Sequence, residues 1–182
     1  GRAMIRMRLM FTTAVVTSVM ALSACGGASI QTFDVGNWPV AMAVGKDGVL
    51  FVANRTPCIS KVTVDQEFIH EFGRNGEFVF LSGLALDQAQ NLYASDEWQN
   101  RITVFDNDGN LLRTWGEEGD GPGQLSGATG LTFDSDDNIW VVNGLNSRIQ
   151  KFTKDGEYIG GFGVKGGGPG ELDMPWGITI DN

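Results

Sequence analysis

The chain is poor in the residues that most often carry chemistry. In 182 residues it has one histidine, His70, and two cysteines, Cys25 and Cys58. One imidazole cannot build a histidine-rich zinc centre, which needs three or four converging ligands. A Ser-His-Asp triad would depend on that same residue. Basic residues are scarce too: 13 Lys and Arg against 22 Asp and Glu leave a formal net charge of −9. Arg2, Arg6 and Arg8 fall in the first 24 residues, so from Cys25 onward 10 basic residues face 22 acidic ones, a charge of −12. A surface this acidic, without a basic patch, repels phosphate backbones and excludes nucleic acid as a partner. What the chain has in excess is glycine, 26 residues, about twice the usual share. Many tight turns between short strands use glycine in this way, and long helices do not. The expectation is one all-β domain, the length being that of a single core.

The first 24 residues read as an address. Arg6 and Arg8 form a short basic start, an apolar stretch follows from Leu9 to Leu22, and the segment ends in Leu22-Ser23-Ala24-Cys25. The apolar stretch is short for a spanning helix and suits a secretory signal. The ending resembles the bacterial lipobox, which implies cleavage before Cys25 and lipidation of its thiol. Acyl chains then anchor the protein, at about 0.8 kcal/mol per buried methylene. Residues 25–35, opening with "CGGAS", read as a flexible tether with a closing strand. An acylated Cys25 cannot pair with Cys58, so no disulfide is expected, and Cys58 in "RTPCIS" reads as a packing cysteine.

A repeat organises the remainder. Residues 101–135 laid over 148–182 without a gap share 14 of 35 positions, a period of 47 residues. "GLALD" (83–87), "GLTFD" (130–134) and "GITID" (177–181) recur at that spacing, and a more divergent copy begins with "VAMAVGKDGVLFVAN" at 40–54. In the third unit four short β-type runs, 130–134, 138–143, 148–152 and 157–162, are separated by "SDD", "GLNS" and "TKDG". Apolar alternation bounded by Asp, Asn and Gly predicts antiparallel strands joined by hairpins. A repeated four-stranded unit of this length is the pattern of a β-propeller blade, which must stack on neighbours to cover both its faces.

The stretch from "GPGQL" through "GLTFDSDDNIWVVNGLNSRIQKFTKDGEYIGGFG" resembles the NHL repeat in its Gly-Pro-Gly connector, its Asn-x-Arg-Ile-Gln third strand and its closing Phe-Gly. The likeness covers residues 36–182, with blades at 36–73, 83–116 and 130–163 and another beginning at 177. In the first unit Asn54 replaces the acid that ends the second strand, the following loop reads two residues longer, and Lys61 takes the place of Arg101 and Arg148. The resemblance implies a propeller of usually six blades, with connectors and second-to-third strand loops on one face, where ligands usually bind. "WGITIDN" reads as the inner strand of a fourth blade, so the chain reads as an N-terminal fragment of a longer propeller.

The remaining motifs are weighed by context. "GFGVKG" (161–166) satisfies a dinucleotide fingerprint, but "GGPGELDMP" follows where a helix is required, so it reads as a connector and excludes a nucleotide. "DNDGN" (106–110) imitates a calcium loop, yet Leu111 stands where the loop needs glycine. "DSDDN" (134–138) also reads as a hairpin, so no cofactor is assigned; calcium, at an acidic turn or a carboxylate site in the channel, is the one metal left open. Asp96 with Arg101, and Asn143 with Arg148, recur at matching offsets and read as a structural clamp on the second-to-third strand loop. The unrepeated residues are the ligand-binding candidates: Trp98 with Glu97, Gln99 and Asn100 on one loop, and Trp176 on the last connector. A flat exposed indole binds sugar or peptide at little entropic cost. With no reactive constellation in the chain, binding is preferred to catalysis. The reading is a lipid-anchored extracytoplasmic propeller of the cell envelope, held to the membrane by Cys25. Its partner would be an envelope protein, peptide or carbohydrate. The alternative is a lactonase-like or amidating-lyase-like enzyme whose catalytic residues lie in further blades.

Overall fold

A computed structural model describes residues 38–65 and 67–181, plus two short strands, β1 (Val19–Met20) and β2 (Thr32–Phe33). Cys25 and nearly all of the expected signal and tether lie outside the described residues. β2 falls in the segment expected to close a blade, but it pairs antiparallel with β1 and with no blade strand among the described residues.

The rest is three sheets of four strands. The first holds β3 (Pro39–Val44), β4 (Val49–Asn54), β5 (Cys58–Thr63) and β6 (Phe68–Phe72). The second holds β7 (Leu81–Leu86), β8 (Leu92–Asp96), β9 (Arg101–Phe105) and β10 (Leu111–Trp115). The third holds β11 (Ala128–Phe133), β12 (Ile139–Asn143), β13 (Arg148–Phe152) and β14 (Tyr158–Phe162). Each is an antiparallel meander in sequence order, and no α-helix occurs among the described residues. The strands of the third blade fall within two residues of their predicted positions. Its inner strand starts earlier, because Ala128 pairs with Asn143 across a bulge.

Turn chemistry sets the register. In the hairpins between first and second strands, Gln90 and Asp137 take left-handed backbone at φ 68° and 62°. Asp87 and Asp134 each accept the backbone N–H of the residue four positions on, at 2.8 and 3.0 Å. At the third-to-fourth turns this role passes to glycine, at Gly109 (φ 85°) and Gly156 (φ 93°). A Cβ there would also lie 2.7 Å from the Phe72 ring or the Trp115 ring of the preceding blade. Register matters because a slip of one residue would turn every core side chain to the opposite face.

The two larger core clusters lie between blades, and a third, of Leu50, Val52 and Val62, lies on the first blade alone. Phe51 and Ile59 of the first blade meet Leu84, Leu92 and Phe105 of the second. Tyr93, Ile102 and Val104 of the second meet Leu131, Ile139 and Phe152 of the third. Each such side chain contributes about 1.5–3 kcal/mol on full burial. The first strands converge on one axis, and β7 packs against both β3 and β11. Their closest approach uses Gly83: a Cβ there would sit 2.3 Å from Thr129 O and 2.8 Å from Ser95 Oγ.

Two expectations change. Asn54 pairs with Cys58 as Asp96 pairs with Arg101 and Asn143 with Arg148. The first blade's loop is therefore the three residues 55–57 against four in the others, one shorter rather than two longer. Cys58, buried and free, holds the arginine position. Lys61 instead sits in mid-strand opposite Phe51, as Lys151 sits opposite Trp140. Their ammonium groups lie 5.6 and 5.2 Å from those ring centroids. Spacing alone misplaced Lys61 because a cation was sought where a small thiol packs. Residues 177–181, expected as an inner strand, carry no strand pairing. An inner strand is held by its own second strand; here the segment runs beside β11, with Gly130 N–H donating to Trp176 O just before it at 2.9 Å.

Candidate functional site

The second-to-third strand loops, 55–57, 97–100 and 144–147, gather on one face beside the residues that lead into the inner strands. The three blades repeat one bond there: Arg55 N–H donates to Trp38 O, Glu97 N–H to Phe80 O, and Gly144 N–H to Gly127 O, at 3.0, 2.9 and 2.9 Å. Trp38, Phe80 and Gly127 are therefore equivalent positions, two of them aromatic.

Asp96 is fully buried, and its carboxylate organises this face. Oδ2 accepts from Val79 N and Phe80 N at 2.5 and 3.0 Å. Oδ1 accepts from Trp98 N and Gln99 N at 3.0 and 2.9 Å. Arg101 does not bond Asp96; its guanidinium donates to Glu77 O at 2.7 Å. In the third blade Asn143 Oδ1 accepts from Ser126 N at 2.6 Å while Nδ2 donates to Gln124 O at 2.8 Å. Arg148 reaches Asp120 O at 2.5 Å. Both pairs thus grip the connector arriving from the preceding blade, and Asp96 alone also grips its own loop.

On this frame stands Trp98, 65% exposed. Its indole stacks on Phe80 at 4.9 Å between centroids and 7° between planes, and the Arg55 guanidinium sits 3.8 Å from the Phe80 centroid. The stack spans two blades, since Arg55 follows β4. Glu97 accepts from Ser82 Oγ at 3.3 Å. It also lines a shallow cleft of about 20 Å³ with Thr129, Leu145, Met174 and Trp176, room for about one water molecule. The fold therefore brings Glu97 and Trp176 together beside Trp98. Leu145, Met174 and Trp176 are each more than half exposed, as is Trp38, so the face carries an apolar band across all three blades.

Gln99 is half-buried and gives its backbone N–H to Asp96. Asn100, expected as a ligand contact, is instead buried, in left-handed backbone at φ 52°, with Oδ1 accepting from Gly127 N at 2.8 Å. It joins the second blade to the third and offers a ligand nothing. Sequence reading missed Phe80, Arg55 and Trp38. The signal was present at Phe80, where the copy 47 residues on has glycine.

Chemistry elsewhere is quieter. His70 lies on the outer strand β6 with Nε2 2.9 Å from Asp108 O, away from the loop face. No group of three or more His, Cys, Asp or Glu able to hold a metal occurs among the described residues. An open pocket beside the inner strands, lined among others by Leu86, Leu131, Thr132, Phe133 and Thr179, has no charged side chain in its lining. In "DNDGN" the Asp106 carboxyl accepts from Asn110 Nδ2, Asn110 N and Asp108 N. The Asn110 side-chain and backbone bonds hold it below the usual carboxylate range. At Asp134 burial raises the pKa, but bonds from Lys151 Nζ, Asn138 N and Trp140 Nε1 outweigh it and draw the carboxyl down to about 2. Burial pushes the Tyr93 phenol up to about 12, against the opposing charge of Arg113, which donates to its oxygen.

No protein-family model matches the sequence, and no curated protein matches it. Solved structures do. A streptogramin B lyase superposes with a TM-score of 0.62 at 18% identity, over 75% of this chain and 45% of the lyase. A catalytically inactive virginiamycin B lyase from Staphylococcus aureus with quinupristin gives 0.61 at 16%, over 77% and 44%. A nidogen/laminin complex gives 0.66 at 19%, over 84% and 57%. The chain spans less than half the length of these lyases. These likenesses fix the fold: the three sheets are blades of a β-propeller.

Proposed function

We propose that the chain is part of an NHL-type propeller that binds a carbohydrate or peptide of the cell envelope on its loop face, tethered to the membrane by a lipid on Cys25. The carrying observation is the Arg55, Phe80 and Trp98 stack, which presents an exposed, rigid indole beside the Glu97 carboxylate. An indole already stacked loses little entropy on binding and offers its outer face to a sugar ring or an apolar side chain. The "GPGQL" connector and "NSRIQ" third strand support the NHL type, and "LSAC" ending at Cys25 supports the anchor. Six blades follow from that type.

The test is capture of envelope glycans and peptides by purified protein. Trp98→Ala should weaken capture at least tenfold; failure of the wild type to bind, or unchanged binding by the variant, rejects the site. Anchoring is tested apart, since Cys25→Ser should move the protein out of the membrane fraction and abolish lipid labelling.

A second reading is a propeller lyase or hydrolase with catalytic residues in further blades, favoured by the shared fold with the streptogramin lyases. Turnover of quinupristin by the complete gene product, followed by mass spectrometry, decides it. Absence of product removes that activity.

A further inference from the structure

The two joins between blades differ in one respect that leaves a cleft. In both, the last strand ends on a left-handed glycine shielded by a buried apolar residue: a Cβ at Gly73 would meet Phe78 Cε2 at 2.6 Å, and one at Gly116 would meet Leu125 Cδ1 at 3.1 Å. These pairs fix the equivalence. Between them run four residues, 74–77, in the first join and eight, 117–124, in the second.

The extra residues of the second join lie against the third blade. Glu118 pairs with Leu125 as an isolated parallel bridge. Gly123 N–H donates to Gln150 Oε1 at 2.9 Å, and Gln150 Nε2 donates to Gln124 O at 2.7 Å. A Cβ on Gly123 would stand 3.1 Å from Tyr158 Cβ, so the connector touches the start of β14, where Tyr158 is still 43% exposed. The first join has no such connector. The counterpart of Tyr158 is Leu111, only somewhat more exposed at 52%. Thr103, in the position of Gln150, is fully buried and its hydroxyl has no partner. In place of the connector is an open cleft of about 470 Å³, lined by Phe72, Arg74, Asn75, Glu77, Phe105 and Leu111, within the ~300–1,000 Å³ of ligand sites.

We propose that this cleft takes an extended, glycine-rich peptide segment of a partner protein, laid where the second join lays its own connector. The occupant is a peptide because the sister site is filled by one. Its backbone approaches the outer strand closely, which only small residues allow. Around the cleft Arg74 is paired with Glu71, while the Glu77 carboxylate accepts from Asn75 N and keeps its negative charge. The site is separate from the Trp98 face and stands whether or not that face binds.

The probe is a fluorescein-labelled peptide of residues 116–126, GEEGDGPGQLS, titrated by anisotropy against the full chain, with a scrambled peptide as control. Saturable binding is expected for the native order only. Leu111→Glu should weaken it at least tenfold, and replacing 74–77 by the eight residues 117–124 should abolish it by filling the cleft. No saturation by about 1 mM, equal binding of the scrambled peptide, or binding unaffected by Leu111→Glu overturns the proposal. Leu111 lies on the exposed outer strand, so that variant decides the matter even where the longer graft does not fold.

Discussion

Asp96 and Asn143 occupy equivalent positions 47 residues apart, both fully buried, and hold the incoming connector by different means. The carboxylate accepts four backbone N–H groups, two from its own loop and two from the incoming connector. The amide accepts one, from Ser126, and donates one to Gln124 O. The choice follows the connector. In the second join Gln124 O lies within reach of a donor, which asparagine has and aspartate lacks. In the first join Arg101 supplies the donor to Glu77 O, leaving position 96 free to be acceptor only. One repeat position thus serves two chemistries because its partners, not its own geometry, decide what it must offer.

Asp96→Ala should show the largest effect, a loss of about 3–5 kcal/mol in urea melts, since it strands several buried donors at once. Asn143→Ala should lose about 1–3 kcal/mol. Equal losses would mean that the two positions hold their surroundings equally. Gly83→Ala comes next, at about 1–3 kcal/mol, because its Cβ would collide with Thr129 O. Gly177→Ala, at the equivalent position, meets nothing within 4 Å and should change stability by less than about 0.5 kcal/mol. A similar penalty at both would show that the inner strands approach each other equally closely there.

Acid then separates Asp134 from its neighbours. Its folded pKa of about 2 lies below the ~3.9 of an unfolded aspartate. Its stabilisation is therefore complete well above pH 4 and is lost as pH falls toward 2, on the order of 2 kcal/mol. Lys151→Met should flatten that part of the stability curve, measured as melting temperature against pH. Smaller again is Trp98→Ala, about 0.5–1.5 kcal/mol from the lost stack on Phe80. Leu145→Ala, on the next loop with no such stack, should fall below it.

Much of this was legible in the sequence because a repeat reports its own strands. "GLTFD", "NIWVVN" and "RIQKF" fall on β11, β12 and β13 since alternation and turn residues leave little freedom for register. The loop positions 96, 101, 143 and 148 were legible by recurrence. Partners between blades were not. That Arg101 reaches Glu77 rather than Asp96 depends on how one blade docks on the next, and no spacing within a repeat encodes it. Asn100 looked available because its loop is exposed, yet a left-handed turn drives its side chain into the join. Phe80 differs from its copy Gly127, but its stack on Trp98 depends on where the lead-in to β7 runs, which no spacing encodes.

The meander order of every sheet bears on how the chain reaches this state. Each strand pairs only with its neighbours in sequence, so each hairpin closes a loop of a few residues and little chain entropy is lost before pairing is rewarded. The blades can zip up one at a time, at hairpin speeds. The apolar faces that meet only between blades, such as Phe51 against Leu84 or Tyr93 against Leu131, are then the slow step. Folding thus divides into fast local pairing and later docking, and the Asp96 and Asn143 grips belong to the second stage.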